Sequence, residues 1–169
     1  RCNFATVDEK LVLKDRRAGR IKEGTAELAK ALDGMKLGRF RVFFREGTEH
    51  RAVLLLRGKG LSARVTDTDP HEEGQRIIES RPLEGKAKNT AKALNAFTRR
   101  AYEILKDQPV NRDRVAKGEP PANMVVCRGG GIAPEMEPVT QKYGLKAAGI
   151  AGVALIKGMF RATGMDVIE

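Results

Sequence analysis

Tryptophan is absent from the 169 residues, tyrosine occurs only at Tyr102 and Tyr143, and cysteine only at Cys2 and Cys127. A single-strand nucleic-acid binder needs exposed aromatic platforms on which bases stack, and this shortage argues against one. Two cysteines in a chain of this length make neither a disulfide framework nor a metal-ligand spacing. Both lie in apolar, strand-like runs, so they read as small buried hydrophobes in a reducing, cytoplasmic setting. No apolar run approaches the roughly 18 residues of a membrane span, so no membrane partner is expected. The opening residues Arg1 to Asp8 read as a strand rather than a signal peptide.

Chemical signatures are missing as well. There is no Gly-Lys-Ser/Thr phosphate loop, no G-x-G-x-x-G, no G-x-S-x-G elbow, no cysteine paired with histidine and no histidine-rich cluster. A complete kinase, hydrolase or metalloenzyme is hard to assemble from these parts. What remains is basic: Lys and Arg number 32 against 22 Asp and Glu, a formal charge of +10. Such a balance calls for an anionic partner, an anionic substrate or a solvated basic surface. A small phosphorylated metabolite accounts for the arginines without the aromatics that nucleic acid would require.

Hydrophobic residues at 41% and charged residues at 32% place the chain among globular proteins. Cys2–Val7, Leu11–Leu13, Phe40–Phe44, Ala52–Leu56, Met124–Cys127 and Ala147–Ala151 read as strands, with a hairpin turn at Glu46–Glu49. Several runs are continuously apolar, which favours a sheet covered on both faces. Thr25–Leu32 and Thr90–Leu105 carry helical stripes, Val153–Arg161 a shorter one and Glu72–Glu79 a weak one. Glu119–Pro121 and Gly129–Pro138 read as loops. The expected fold is α/β or α+β: a modest mixed sheet with flanking helices in a single domain.

Four segments hold candidate chemistry. Asp15-Arg16-Arg17-Ala18-Gly19-Arg20 places three arginine forks, each able to take two oxygens of an anion, around a turn glycine; its plain alternative is a solvated basic turn. Thr48-Glu49-His50-Arg51 lies in the hairpin, where His50 is either a ligand contact or a surface hydrogen-bonding residue. Asp67, Asp69 and His71 alternate, so an extended backbone puts them on one side. They read as a turn, a substrate contact or, more weakly, a metal site. Arg128-Gly129-Gly130-Gly131 follows a buried strand, and its glycines admit close approach of a phosphate. Lys157, on the last helix, either points into a cleft or is solvated.

Six stretches in register resemble one family. They are Arg1–Asp8, Asp15–Ile21, Gly47–Val53, Asp67–His71, Pro121-Ala122-Asn123 and Tyr143–Ala148, with order and spacing held to about Asp166. Together they resemble archaeal-type 2,3-bisphosphoglycerate-independent phosphoglycerate mutases, of the alkaline phosphatase-like metalloenzyme superfamily. The resemblance implies an isomerase of glycolysis and gluconeogenesis that interconverts 3-phosphoglycerate and 2-phosphoglycerate through a phosphoserine, without 2,3-bisphosphoglycerate. It implies a core with two divalent metal ions, usually manganese, and an inserted domain that folds over the substrate. Residues 1–145 then correspond to the insertion and 146–169 to its return toward the core. Neither metal ligands nor nucleophile match here, so the isolated chain is expected to be inactive and metal-free. Its partners would be the two phosphoglycerates and the core of its own parent. Arg16, Arg17 and Arg20 would grip substrate with Asp15 orienting them. His50, Arg51, Asp69 and His71 would contact glycerate hydroxyls or aid proton transfer, and Lys157 would reach the phosphate. A related phosphotransfer enzyme acting on another hydroxy acid phosphate is the nearest alternative, and a basic nucleic-acid module a more distant one.

Overall fold

Cys2–Val7 lacks the apolar–polar alternation of a half-buried strand, and it forms β1 with all six residues buried. β1 is the axis of the first of two compact units, Arg1–Ile132; the second is Ala133–Glu169. The computed structural model describes residues 1–133 and 135–168. In the first unit β1 is followed by β2 (Leu13–Asp15), a 3-10 turn at Ala18–Arg20, α1 (Thr25–Leu32), β3 (Lys36–Leu37), β4 (Phe40–Glu46) and β5 (Arg51–Arg57). A second 3-10 turn at Gly85–Ala87 leads into α2 (Lys88–Leu105), α3 (Pro109–Ala116) and β6 (Met124–Cys127).

These six strands make one sheet, antiparallel at every pairing. One edge of β1 takes β6, with Cys2 opposite Cys127 and Ala5 opposite Met124. The other edge takes β5 at Cys2 and Asn3, then β2 at Thr6 and Val7. The Asn123 side chain prolongs the β6 ladder: its Oδ1 accepts the Val7 N–H at 2.9 Å and its Nδ2 donates to the Val7 carbonyl at 2.9 Å.

Alternate residues then choose their layer. Cys2, Phe4, Val42, Phe44 and Ala52 meet Leu28, Ala29 and Leu32 of α1 and Leu94, Phe97, Ala101 and Leu105 of α2. Phe44 stands at the middle, its ring 5.8 Å from Phe4 and 5.6 Å from Phe97. On the opposite face Ala5, Val7, Leu13, Met124 and Val126 are covered by Leu11, Ile77 and Tyr102. β4 and β5 lack such cover there: Val53 and Leu55 are 56% and 45% exposed. The guanidinium groups of Arg41 and Arg57 lie over the Phe43 ring, 5.4 and 5.2 Å from its centre. Coverage on both faces therefore holds for β1 and β6 but not for the hairpin.

The second unit contains α4 (Val139–Tyr143), β7 (Ala148–Ile150), α5 (Ala154–Ala162) and β8 (Asp166–Ile168). β7 and β8 pair in parallel, as a strand–helix–strand connection requires. Phe160 covers Gly149, where a β-carbon would lie 2.3 Å from the ring. The chain thus has the expected sheet with flanking helices. It carries both pairing senses, but in separate sheets. No described helix is long and apolar enough to cross a membrane.

One local expectation needs correction, and one helix was not anticipated. Glu72–Glu79 is not helical. Gly74 takes a left-handed φ of 86°, and the Gly74 and Ile77 amides donate to Leu13 and Leu11 while the Gln75 carbonyl accepts from Leu13. That backbone pairing, with Ile77 turned into the small core, leaves no hydrogen bonds for a helix. Conversely α3 is a helix with no apolar stripe: only Asn111 is buried. Asn111 holds it in place by donating to the Leu105 and Ala122 carbonyls at 2.8 and 3.0 Å and accepting the Ala122 N–H at 2.7 Å.

Removing those three bonds leaves buried backbone groups without partners, which cost about 1–3 kcal/mol each at most and are partly recovered by relaxation. Asn111→Ala is expected to destabilise the chain by about 3 kcal/mol in urea unfolding, against less than about 0.5 kcal/mol for the exposed neighbour Arg112→Ala.

Candidate functional site

Asn3 and Arg51 are register partners on the face of the sheet away from α1 and α2, and around them the candidate segments converge. The arginine turn comes first. Asp15 accepts the Arg17 and Gly19 amides at 2.6 and 2.8 Å, so it shapes the backbone of the turn; its oxygens do not hold the arginine side chains. Gly19 has φ 65° with Pro120 close by, and Arg114 donates to the Ala18 carbonyl at 2.9 Å. The turn is thereby fastened to the segment after α3.

Arg16 is the arginine that this turn sends inward. Its Nη2 lies 2.8 Å and its Nε 3.4 Å from the two oxygens of Asp69, a forked pair. The Asp69 side chain has no solvent exposure, and Arg128 Nη1 approaches the same Oδ2 at 3.4 Å. The His71 amide donates to Asp69 Oδ1 at 2.9 Å. Burial by itself raises the Asp69 carboxyl, but Arg16, the His71 amide and the surrounding positive charge outweigh it and hold its pKa below the ordinary carboxylate value. Asn3 ties the ends together: its Nδ2 donates to the Arg16 carbonyl at 3.3 Å and its Oδ1 accepts from Arg128 Nη2 at 3.4 Å.

His71 completes the cluster. Its Nδ1 is 3.4 Å from Arg16 Nη2 and its Nε2 3.1 Å from Asp67 Oδ2. A guanidinium can only donate, so Nδ1 accepts and Nε2 carries the proton that Asp67 accepts. Asp67 also accepts the Gly129 amide at 2.9 Å. The alternation of Asp67, Asp69 and His71 does place them together. With both oxygens of Asp69 taken by guanidinium and amide donors, however, the trio does not fit a divalent cation. Among the described residues no group of three or more His, Cys, Asp or Glu could hold a metal ion.

His50 is not on the hairpin surface. It is 4% exposed, its Nδ1 has no hydrogen-bond partner among the described residues, and Glu49 at 3.8 Å is too distant to supply one. Burial, then the charges of Arg51, Arg17 and Arg128, push its pKa down, with Glu49 pulling the other way; the imidazole is neutral at neutral pH. Arg128 shows the same excess of positive charge. Its Nε is buried and has no hydrogen-bond partner among the described residues. Burial lowers its pKa first, the nearby Arg1 adds to this, and Asp69 offsets part. Two buried polar atoms lacking partners amid crowded guanidinium groups describe a site that an anion would relieve.

Backbone strain gathers here too. Of the five described non-glycine residues with positive φ, four (Ala18, Arg20, Glu49 and His71) flank these segments, as is common where side chains are pre-positioned for a ligand. Arg17 and Arg20 are exposed, and among the described residues neither guanidinium has an ion-pair partner. Arg51 is exposed and 3.6 Å from Glu49. Lys157 lies on α5 in the second unit.

Comparison with known proteins shows the family. The family model described as 2,3-bisphosphoglycerate-independent phosphoglycerate mutase matches residues 1–111. The 2,3-bisphosphoglycerate-independent phosphoglycerate mutase 1 of Methanocaldococcus jannaschii is 49% identical across the whole chain. The chain belongs to this phosphoglycerate mutase family. Its counterpart from Methanothermobacter thermautotrophicus is 47% identical, again over all of the chain. The chain spans 42% of the length of each of these relatives. The cofactor-independent phosphoglycerate mutase from Thermoplasma acidophilum superposes with a TM-score of 0.82 at 38% identity, over 99% of this chain and 46% of that one. The PH0037 protein of Pyrococcus horikoshii shares the fold, with a TM-score of 0.67 at 24% identity over 99% of this chain and 36% of that one.

Within this member of the mutase family, the residue that sequence reasoning left out of the site is Arg128. It was legible only as the start of a glycine loop, although an arginine ending a fully apolar strand is a signal in itself. Asn3 and Arg114 carried no signal.

Because the folded pKa of Asp69 lies below the unfolded one, its stabilisation is complete above roughly pH 4 and is lost as pH falls through the folded value. Asp69→Asn is expected to be less stable than the parent at neutral pH, with the gap in urea midpoint narrowing below about pH 4. A gap independent of pH would mean that the carboxylate charge is not what holds the cluster.

Proposed function

We propose that this chain is the substrate-gripping part of a cofactor-independent phosphoglycerate mutase, an isomerase that interconverts 3-phosphoglycerate and 2-phosphoglycerate. The observation that carries the reading is the anchored pair Arg16 and Arg128, set on Asp69 beside the buried, unpartnered Arg128 Nε and His50 Nδ1. A phosphoglycerate brings a carboxylate and a phosphate. Fixed guanidinium forks suit both, and they are held in place before the ligand arrives. While a phosphoryl group resides elsewhere, the glycerate left behind must stay bound and turn; charge-assisted contacts hold it through its carboxylate while its hydroxyl contacts can exchange.

In this reading Arg16 and Arg128 grip the anion, and the exposed Arg17, Arg20 and Arg51 close around it. His50, neutral and with a free ring nitrogen, hydrogen-bonds a hydroxyl. Asp69 and Asp15 position rather than contact: the first orients the arginines, the second shapes their turn. His71 relays the same orientation to Asp67. The nucleophilic serine and the divalent metal ions, manganese in the usual member, belong to parts of the parent outside this chain. Residues 1–145 are the inserted domain, and 146–169, with Lys157 as a phosphate contact, lead back to that core. Alone, the chain is silent in catalysis, and the whole enzyme works in the cytoplasm.

In the full-length enzyme, Arg16→Ala and Arg128→Ala are each expected to lower kcat/KM on the order of a hundredfold or more, with metal content unchanged and Arg112→Ala kinetically silent. An NMR titration of this chain with 3-phosphoglycerate, and with inorganic phosphate as control, tests the grip itself. Shifts at the His50 imidazole and the Arg16 and Arg128 Nε–H groups, stronger with 3-phosphoglycerate, support it. Near-normal kinetics in both variants overturn it.

A further inference from the structure

We infer that Cys2 and Cys127 form a modification site, a thiol pair placed to close as a disulfide, and that the bridge acts on the arginine cluster through the backbone of Cys127. The two face each other on adjacent antiparallel strands, with their sulfurs 3.1 Å apart. The flanking pair fixes their geometry. Arg128 N–H donates to the Arg1 carbonyl at 2.9 Å, and Arg1 N–H to the Arg128 carbonyl at 3.1 Å. Arg1 and Arg128 are therefore a hydrogen-bonded pair, which makes Cys2 and Cys127 the next, non-hydrogen-bonded one. At that position Cα atoms stand about 4.5 Å apart, at the near end of the roughly 4.4–6.8 Å that a disulfide spans.

They are the only cysteines in the chain, and both are buried. Access requires a local opening of the β1–β6 pairing around them, together with the bonds that hold Cys127 to Thr68 and Asp69. The hydrogen bond between the thiols lowers the pKa of Cys2 and raises that of Cys127, which makes Cys2 the attacking group. The oxidant class is a small disulfide such as oxidised glutathione. Cys2 thiolate attacks one of its sulfurs and expels a thiolate, leaving a mixed disulfide. Cys127 then gives up its proton and attacks the Cys2 sulfur, expelling the second thiol. Two S–H bonds are exchanged for one S–S bond, and the small disulfide is reduced to two thiols.

The consequence reaches the arginine cluster. Cys127 N–H donates to Thr68 Oγ1 at 2.9 Å, and the Cys127 carbonyl accepts the Thr68 and Asp69 amides at 2.9 and 3.3 Å. The carboxylate that orients Arg16 thus hangs from the residue that would be bridged, and Arg128 follows it directly. Drawing the sulfurs to a bond length of about 2.05 Å moves Cys127 and what it carries.

Incubating the chain with oxidised glutathione until its thiol titre is constant tests this. Expected are loss of both thiols, a mass lower by two hydrogens with no adduct, and a non-reducing digest that joins the Cys2 and Cys127 peptides. The amide resonances of Thr68, Asp69 and Arg128 should shift and return with dithiothreitol. Cys2→Ser and Cys2→Ala, whichever retains the native spectrum, should show none of those shifts. Glutathione left on either cysteine, bridges between chains, or two surviving thiols overturn the site. A bridge that leaves the three amides in place overturns its coupling to the cluster.

Discussion

A carboxylate with no solvent exposure stays ionised only if something replaces its lost water. Asp69 replaces it with two guanidinium groups and an amide. Its own cost is thereby met, and in return two long, flexible side chains arising 112 residues apart in sequence are given one arrangement. Arginine held in this way loses little further freedom when an anion arrives, which is the physical meaning of a site prepared in advance.

The rest of the first unit serves that arrangement. β1 lies between β6 and the β5–β2 edge, so Asn3 reaches Arg16 on one side and Arg128 on the other. The helices cover the opposite face, where Phe4, Phe44 and Phe97 form the centre of the core. Rigidity on that side leaves the face around the arginine cluster free to be charged and locally strained. The left-handed backbone at Ala18, Arg20, Glu49 and His71 is tolerable because each is fastened by neighbours that the core holds still.

Much of this could be read from residues alone, and the failures have physical causes. α1 and β6 have the boundaries that their apolar patterns suggest, and the hairpin follows from two apolar runs around Gly47. α3 escaped because a helix held by one buried asparagine has no hydrophobic period to detect; Pro109 at its first turn was its only mark. Glu72–Glu79 misled because Ile77 faces the small core from an extended backbone, which its flanking acidic residues do not reveal. In the site, Arg16, His50, Asp69 and His71 were legible as chemistry, but not their relations. Nothing local shows that Arg16 meets a carboxylate 53 residues away, that Asp15 binds amides instead, or that the strand register delivers Arg128. Proximity across a sheet is a property of topology, and one sequence carries it only implicitly.

The measurement that bears most directly on the role of Asp69 is a double-mutant cycle between Arg16→Ala and Asp69→Asn, read as unfolding free energy at neutral pH. A buried, forked ion pair that organises its surroundings is expected to show a coupling of about 2–4 kcal/mol. A coupling within about 0.5 kcal/mol of zero, as for an exposed surface pair, would contradict it: Arg16 and Asp69 would then be neighbours without being partners, and the arginine cluster would have to be held together by something else.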